Sequence, residues 1–142
     1  MPSPVGIVYS SEIRLLSGLS PKYENRFSLV MGLTFAYGLA KKLLRIPPLE
    51  WCPSKEMELL TQFHRYALLL SGSEDYIKAL QLLDSFYTLD DEPNIPDDMS
   101  EHLNGFGLSY DCNGFRGVYG YALSAVRGTL AAVDSLVDSQ CK

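Results

Sequence analysis

The first apolar block is Val5-Gly-Ile-Val-Tyr9, an uninterrupted run closed by Ser10-Ser11-Glu12. Such a short β-branched run predicts a buried strand. Leu15 to Tyr23 carries Ser17, Gly18, Ser20 and Pro21 and reads as loop. Asn25 is placed to cap a helix that runs to about Arg45. Within it, Phe27 to Ala40 is fourteen residues without a charge. Lys41, Lys42 and Arg45 gather where cations suit a helix C-terminus, and Pro47-Pro48 ends it.

A second helix is expected from Ser54, with Glu56 and Glu58 in its first turn and Leu59, Leu60 and Phe63 on its apolar face. After the Ser71-Gly72-Ser73 break, Tyr76, Ile77, Leu80 and Leu83 mark a third. Asp84 to Glu101 holds seven acids, two prolines and no Lys or Arg, so it reads as an exposed loop. A long last helix is expected from Asn113 or Gly114. Phe115, Val118, Tyr119, Ala122, Val126, Leu130, Val133 and Val137 recur there at three- and four-residue spacing, a wide buried face. One strand cannot cover these helices, and a parallel α/β sheet needs further strands. The layout is that of the opening portion of a larger α/β domain.

The 142 residues fit one domain, and 46% hydrophobic with 20% charged residues excludes disorder or a disulfide-dense miniprotein. A net charge of −5 gives no basic stripe for nucleic acid and favours a cationic partner instead. Fourteen uncharged residues, diluted by Gly32, Thr34, Tyr37 and Gly38, are too few for a membrane span. The first residues, without a basic start and a long apolar core, are not expected to act as a secretory signal. Cys52, Cys112 and Cys141 are odd in number and form no C-x-x-C, which points to free thiols in a reducing compartment.

The residues alone define no catalytic centre. A hydrolytic zinc site needs three ligands around an open position, and the chain has two histidines, His64 and His102, with no His-His pair and no H-E-x-x-H. His64 reads as a packed or surface histidine and His102 as a solvated one. No G-x-S-x-G, P-loop or G-x-G-x-x-G occurs, and Gly105-Phe106-Gly107 is a glycine turn only. Cys112 has no basic neighbour to lower its pKa and reads as a structural thiol. The acidic stretch is either a solvated loop or an attractor for a Lys- or Arg-rich peptide. Asp111, beside Tyr110, is either an acceptor for the N–H groups of an extended peptide or a cap for the last helix.

Several segments together resemble the N-terminal part of the class I zinc-dependent histone deacetylases, in the histone deacetylase 8-like branch. They are Val5-Gly-Ile-Val-Tyr-Ser-Ser-Glu12, Asn25-Arg-Phe-Ser-Leu-Val30 with Leu33 and Ala36-Tyr37, Glu58-Leu-Leu-Thr-Gln-Phe-His64 and Ser73-Glu-Asp-Tyr-Ile-Lys-Ala-Leu80. The most specific is Phe106-Gly-Leu-Ser-Tyr-Asp-Cys112, followed in register by Thr129, Ala131-Ala132 and Leu136. The resemblance implies an α/β, arginase/deacetylase-type fold with a parallel sheet, helix-rich over residues 1–142, which would form a partial deacetylase domain. It implies hydrolysis of acetyl-lysine, Zn2+ as the cofactor of the complete domain, acetylated lysine peptides or histone tails as partners, and a place in the nucleus and cytoplasm. By position, Asp111 matches the rim aspartate that grips the substrate backbone and Tyr110 the aromatic beside it. Arg26 matches the arginine of the inner cavity, and Tyr9 lies near that region.

The chain also departs from the family. It ends at Cys141-Lys142, before the family's paired histidines and zinc ligands, so it is expected to have no catalytic or metal residues, no bound zinc and no activity by itself. Arg65 to Gly72 is inserted after Phe63-His64. Met31 stands where the family often has histidine, and Asn113-Gly114 replaces a proline-containing step. Val126-Arg127 replaces a Gly-Gly pair, and an arginine there is exposed or costly to bury. The alternatives are a non-catalytic peptide-binding module derived from the deacetylase fold, and an unrelated small α-rich binding domain.

Overall fold

The computed structural model describes residues 4–50, 73–87, 93, 95–108 and 114–141. Strand β1 spans Val5–Val8, as the apolar run predicts, but it is not buried as expected: Val5 is exposed and Gly6, Ile7 and Val8 are half-buried. The chain then enters helix α1, Ser11–Gly18, which the loop reading of Leu15–Tyr23 missed. Its cause is Ser10, which is extended and accepts the Ile13 N–H on its hydroxyl at 3.1 Å. Such a cap satisfies one orphan donor, and Glu12 adds a favourable charge in the first turn. The residues that break the strand are thus the residues that start a helix.

A 3-10 turn over Pro21–Tyr23 leads to helix α2, Arg26–Ala36. Asn25 is its N-cap, but with left-handed backbone (φ 59°) and no side-chain capping bond. The expected extension to Arg45 does not occur. Tyr37 N–H bonds to the Leu33 carbonyl at 2.9 Å and Gly38 N–H to the Phe35 carbonyl at 3.0 Å. Gly38 then takes φ 70°, a conformation glycine adopts without a Cβ penalty, and the helix stops. A 3-10 turn over Leu39–Lys42 follows, and then a second strand, β2, Leu43–Ile46. Lys41, Lys42 and Arg45 therefore lie in a turn and a strand, and Pro47-Pro48 ends a strand.

β1 and β2 are parallel, with Val5 opposite Leu43 and Val8 opposite Ile46. The Tyr9 N–H continues the ladder to the Ile46 carbonyl at 3.3 Å. Parallel neighbours require a long crossover, which α1 and α2 supply. Side chains alternate across the pleat, so Gly6, Val8, Leu44 and Ile46 share one face and Ile7, Tyr9, Leu43 and Arg45 the other.

Helix α3 is Ser73–Phe86, as expected, and α4 is Asp97–Asn104. The acidic stretch is thus not one loop. Asp84 belongs to α3 and accepts the Gly117 N–H at 2.7 Å, while Asp97 and Asp98 occupy the favourable first turn of α4. Helix α5 is Val118–Val137 and starts later than expected, because Gly117 (φ 82°) turns the chain into it. The helix expected from Ser54 lies outside the described residues.

Two cores result. Ala79, Leu80, Leu83, Leu103, Leu108, Phe115 and Val118 pack between α3, α4 and the start of α5. Ile46, Ala131 and Cys141, with Val8, Leu44 and Leu49, join the sheet to α5. Gly6 makes that approach possible: a Cβ there would lie 2.5 Å from Ile46 Cδ1 and 2.8 Å from Cys141 Sγ. The buried face of α5 is Val118, Leu123, Ser124, Arg127, Gly128, Ala131 and Ser135. Val133 and Val137, expected on it, are 47% and 74% exposed. Among the described residues, no helix is long and apolar enough to cross a membrane.

Candidate functional site

Open parallel sheets bind ligands beyond the carboxyl ends of their strands. Tyr9 stands there, just past β1. Its ring stacks on Phe27 at 6.0 Å between centroids, 4° from parallel, and meets Phe35 edge-on at 6.1 Å. Both partners come from α2, one at each end of its sheet-facing side. On the next strand, the Arg45 guanidinium lies 5.1 Å above the Tyr9 ring, and its Nε donates to the Tyr9 carbonyl at 3.4 Å. Register explains the meeting: Arg45 is opposite Ile7, so it shares a face with Ile7 and Tyr9.

Between these groups is a cavity of about 100 Å³, bounded by Ile7, Tyr9, Met31, Thr34, Phe35 and Leu43. Met31 is buried, and the Thr34 hydroxyl donates to the Val30 carbonyl at 2.8 Å. The walls are therefore mostly apolar, with the Tyr9 ring and Arg45 as the polar handles. Such a cavity can hold a few atoms by shape and orient them against Tyr9. No carboxylate, histidine or thiol is among its lining residues.

Arg26 begins α2 and is exposed, with its guanidinium 5.8 Å from the centre of the Tyr23 ring. It does not line the cavity that Tyr9 lines, although its neighbour Phe27 touches Tyr9. Tyr110 and Asp111 lie outside the described residues, as do His64, Cys52 and Cys112. His102 is exposed in the last turn of α4 and packs edge-on against Phe106 at 5.3 Å. Cys141 is a buried free thiol. Among the described residues, no group of three His, Cys, Asp or Glu side chains is placed to hold a metal ion. The described residues therefore do not fit a zinc centre. Sequence reasoning did not bring Arg45, Phe27 or Phe35 to Tyr9; only recognition of Leu43–Ile46 as a strand would have placed Arg45 there.

No family model matches the chain. Histone deacetylase 8 of Danio rerio is 32% identical to it over 135 residues, which cover 94% of this chain and 30% of that protein. Histone deacetylase 8 of Xenopus tropicalis is 28% identical over 134 residues, covering 94% and 31%. The chain thus spans a little under a third of the length of these curated relatives. Over nearly all of its own length, it is similar to these two histone deacetylase 8 proteins.

Proposed function

We propose that these residues form the opening portion of a class I zinc-dependent lysine deacetylase domain, with the arginase/deacetylase-type fold. In the complete domain the reaction is hydrolysis of the acetyl-lysine amide on histone tails or other acetylated peptides, with a role in chromatin and transcription, in the nucleus and cytoplasm. Zinc in such a domain acts as a Lewis acid on the amide carbonyl. In this reading the chain contributes binding and positioning roles to the complete domain. Asp111, with Tyr110 beside it, accepts substrate backbone N–H groups at the rim. Tyr9 shapes an inner cavity; Arg26, assigned to that cavity by the resemblance, lies exposed over Tyr23 at the start of α2 and does not line it.

The observation that carries this reading is the 32% identity across 94% of the chain. The parallel crossover, with an aromatic cavity at the carboxyl end of β1, is compatible with it. The test compares the 142-residue chain with a longer product of the same gene that contains a paired-histidine segment. The longer protein should cleave an acetyl-lysine peptide and lose that activity on chelation. The 142-residue chain should hold no stoichiometric zinc and show no turnover. Chelator-sensitive turnover by the shorter chain, or an inactive longer protein loaded with zinc, overturns the proposal.

A further inference from the structure

Helix α5 begins without a side-chain cap of its own. Its N-cap is Gly117, and no acidic residue occurs in its first turn. A helix N-terminus favours a negative charge. Asp84 brings one from the last turn of α3. It is half-buried, and its Oδ1 accepts the Gly117 N–H at 2.7 Å. Such a bond between a backbone N–H and a carboxylate belongs to the strong class.

The same end of α3 holds the residues just before Gly117. Gly114 packs so closely there that a Cβ would lie 2.7 Å from Tyr87 Cε2 and 2.8 Å from Leu83 Cδ1. Phe115 is buried in the cluster with Leu83. At the other end, Leu108 is buried in that cluster too, and its N–H donates to the Leu103 carbonyl at 3.1 Å. Residues 109–113, which include Tyr110 and Asp111, thus connect two fixed ends. Each residue spans at most about 3.6 Å, so a connection this short follows its ends. The apolar contacts with Leu83 and Tyr87 are non-directional. The Asp84 bond is directional, and it fixes where along α3 the second end sits.

We propose that Asp84 is a positioning residue. By holding the Gly117 N–H, it sets the placement of the connection that carries Tyr110 and Asp111, and so the grip of Asp111 on a substrate backbone. This inference rests on the proposed role of Asp111 at the substrate rim. The effect of Asp84 runs through Gly117 and not through the reacting amide.

The test uses two variants. Asp84→Asn keeps an acceptor for the Gly117 N–H, and Asp84→Ala removes it. In the 142-residue chain, Asp84→Ala should speed hydrogen exchange at the Gly117 amide about tenfold or more, the scale of a lost bond to a charged acceptor, and Asp84→Asn should speed it less. The same variants are made in the longer protein with the paired-histidine segment. There, Asp84→Ala should lower kcat/KM for an acetyl-lysine peptide about tenfold, on that same scale. It should leave unchanged the cleavage of a small acetylated amine that has no peptide backbone. Asp84→Asn should restore most of the peptide activity. A merely structural anchor would lower both substrates alike, and that result overturns the proposal. So does Asp84→Ala with unchanged Gly117 exchange or with full activity on both substrates. A zinc-loaded longer protein that cleaves neither substrate with Asp84 intact overturns the deacetylase reading and this role with it, and is thereby told apart from a failure of Asp84 alone.

Discussion

Arg127 and Glu12, 115 positions apart in sequence, form an ion pair of 2.8 Å between α5 and the first turn of α1. The Arg127 side chain is 6% exposed and that of Glu12 49%. Arg127 Nε also donates to the Leu49 carbonyl at 2.7 Å, and the Leu49 N–H reaches back to the Arg127 carbonyl at 3.5 Å. One guanidinium thus ties together α1, α5 and the segment that leaves β2. Sequence alone left this arginine either exposed or costly to bury. It is buried, and two acceptors offset the desolvation.

Removing one partner of such a pair strands the other charge. Breaking a fully buried pair costs about 3–5 kcal/mol; with Glu12 half-exposed, Glu12→Ala should cost about 2–3 kcal/mol. Arg127→Met removes the buried charge and keeps much of the bulk. The double variant Glu12→Ala/Arg127→Met should therefore be more stable than Glu12→Ala alone. Urea denaturation of the three proteins checks the order; a double variant less stable than Glu12→Ala would show that the arginine is not left stranded.

Gly6 is the point where the sheet touches the chain's last described residues. Gly6→Ala places a methyl against Ile46 Cδ1 and Cys141 Sγ. Overpacking of this kind typically costs about 1–3 kcal/mol. Ile46 Cδ1 can rotate away, but the thiol sits in the buried cluster with Ala131. Cys141→Ala should therefore recover part of the loss, and denaturation midpoints of the single and double variants measure the coupling.

Tyr87 provides a pH-dependent test. Its pKa is raised above the ordinary 10.0 because burial against the α3 core disfavours the phenolate. The folded state thus holds the proton more tightly than the unfolded state. Stability from this group is fully present below pH 10 and is lost as pH rises through the folded-state pKa. Thermal melts of the native chain should fall more steeply than those of Tyr87→Phe as pH rises from 10 through that value. Parallel curves would place Tyr87 outside the titration.

Legibility in the sequence followed the size of the pattern. Val5–Val8 and Ser73–Phe86 are evident because their apolar residues match one period and meet clear punctuation. Leu43–Ile46 is four residues beside a long apolar run, and periodicity cannot separate so short a strand from a helix end. Helix α1 was hidden because its serines and glycine are also loop residues. The buried stripe of α5 was missed for a related reason: Ser124, Arg127, Gly128 and Ser135 carry no hydrophobic pattern, while the larger Val133, Leu136 and Val137 are exposed. At the site, Tyr9 was named through a resemblance. Its partners Phe27, Phe35 and Arg45 emerge only when α2 and β2 are placed against β1.

Asp111 carries the sharpest functional prediction. Capping of the last helix was the competing role for it, but α5 begins at Val118 and Gly117 occupies its N-cap. That cap needs no carboxylate from Asp111. In the proposed function, Asp111 accepts substrate N–H groups, and such charge-assisted bonds are roughly twice as strong as neutral ones. Asp111→Asn, made in the longer protein with the paired-histidine segment, removes the charge and nearly preserves the shape. Without that grip the acetamide is misplaced, and a small misplacement costs about 10²-fold in rate. The expected result is peptide turnover reduced by up to that factor with an unchanged melting temperature. A small acetylated amine that lacks a peptide backbone should be cleaved equally by both proteins, since it never used Asp111. Equal loss on both substrates would assign Asp111 a structural role, and equal retention on both would remove it from the substrate rim.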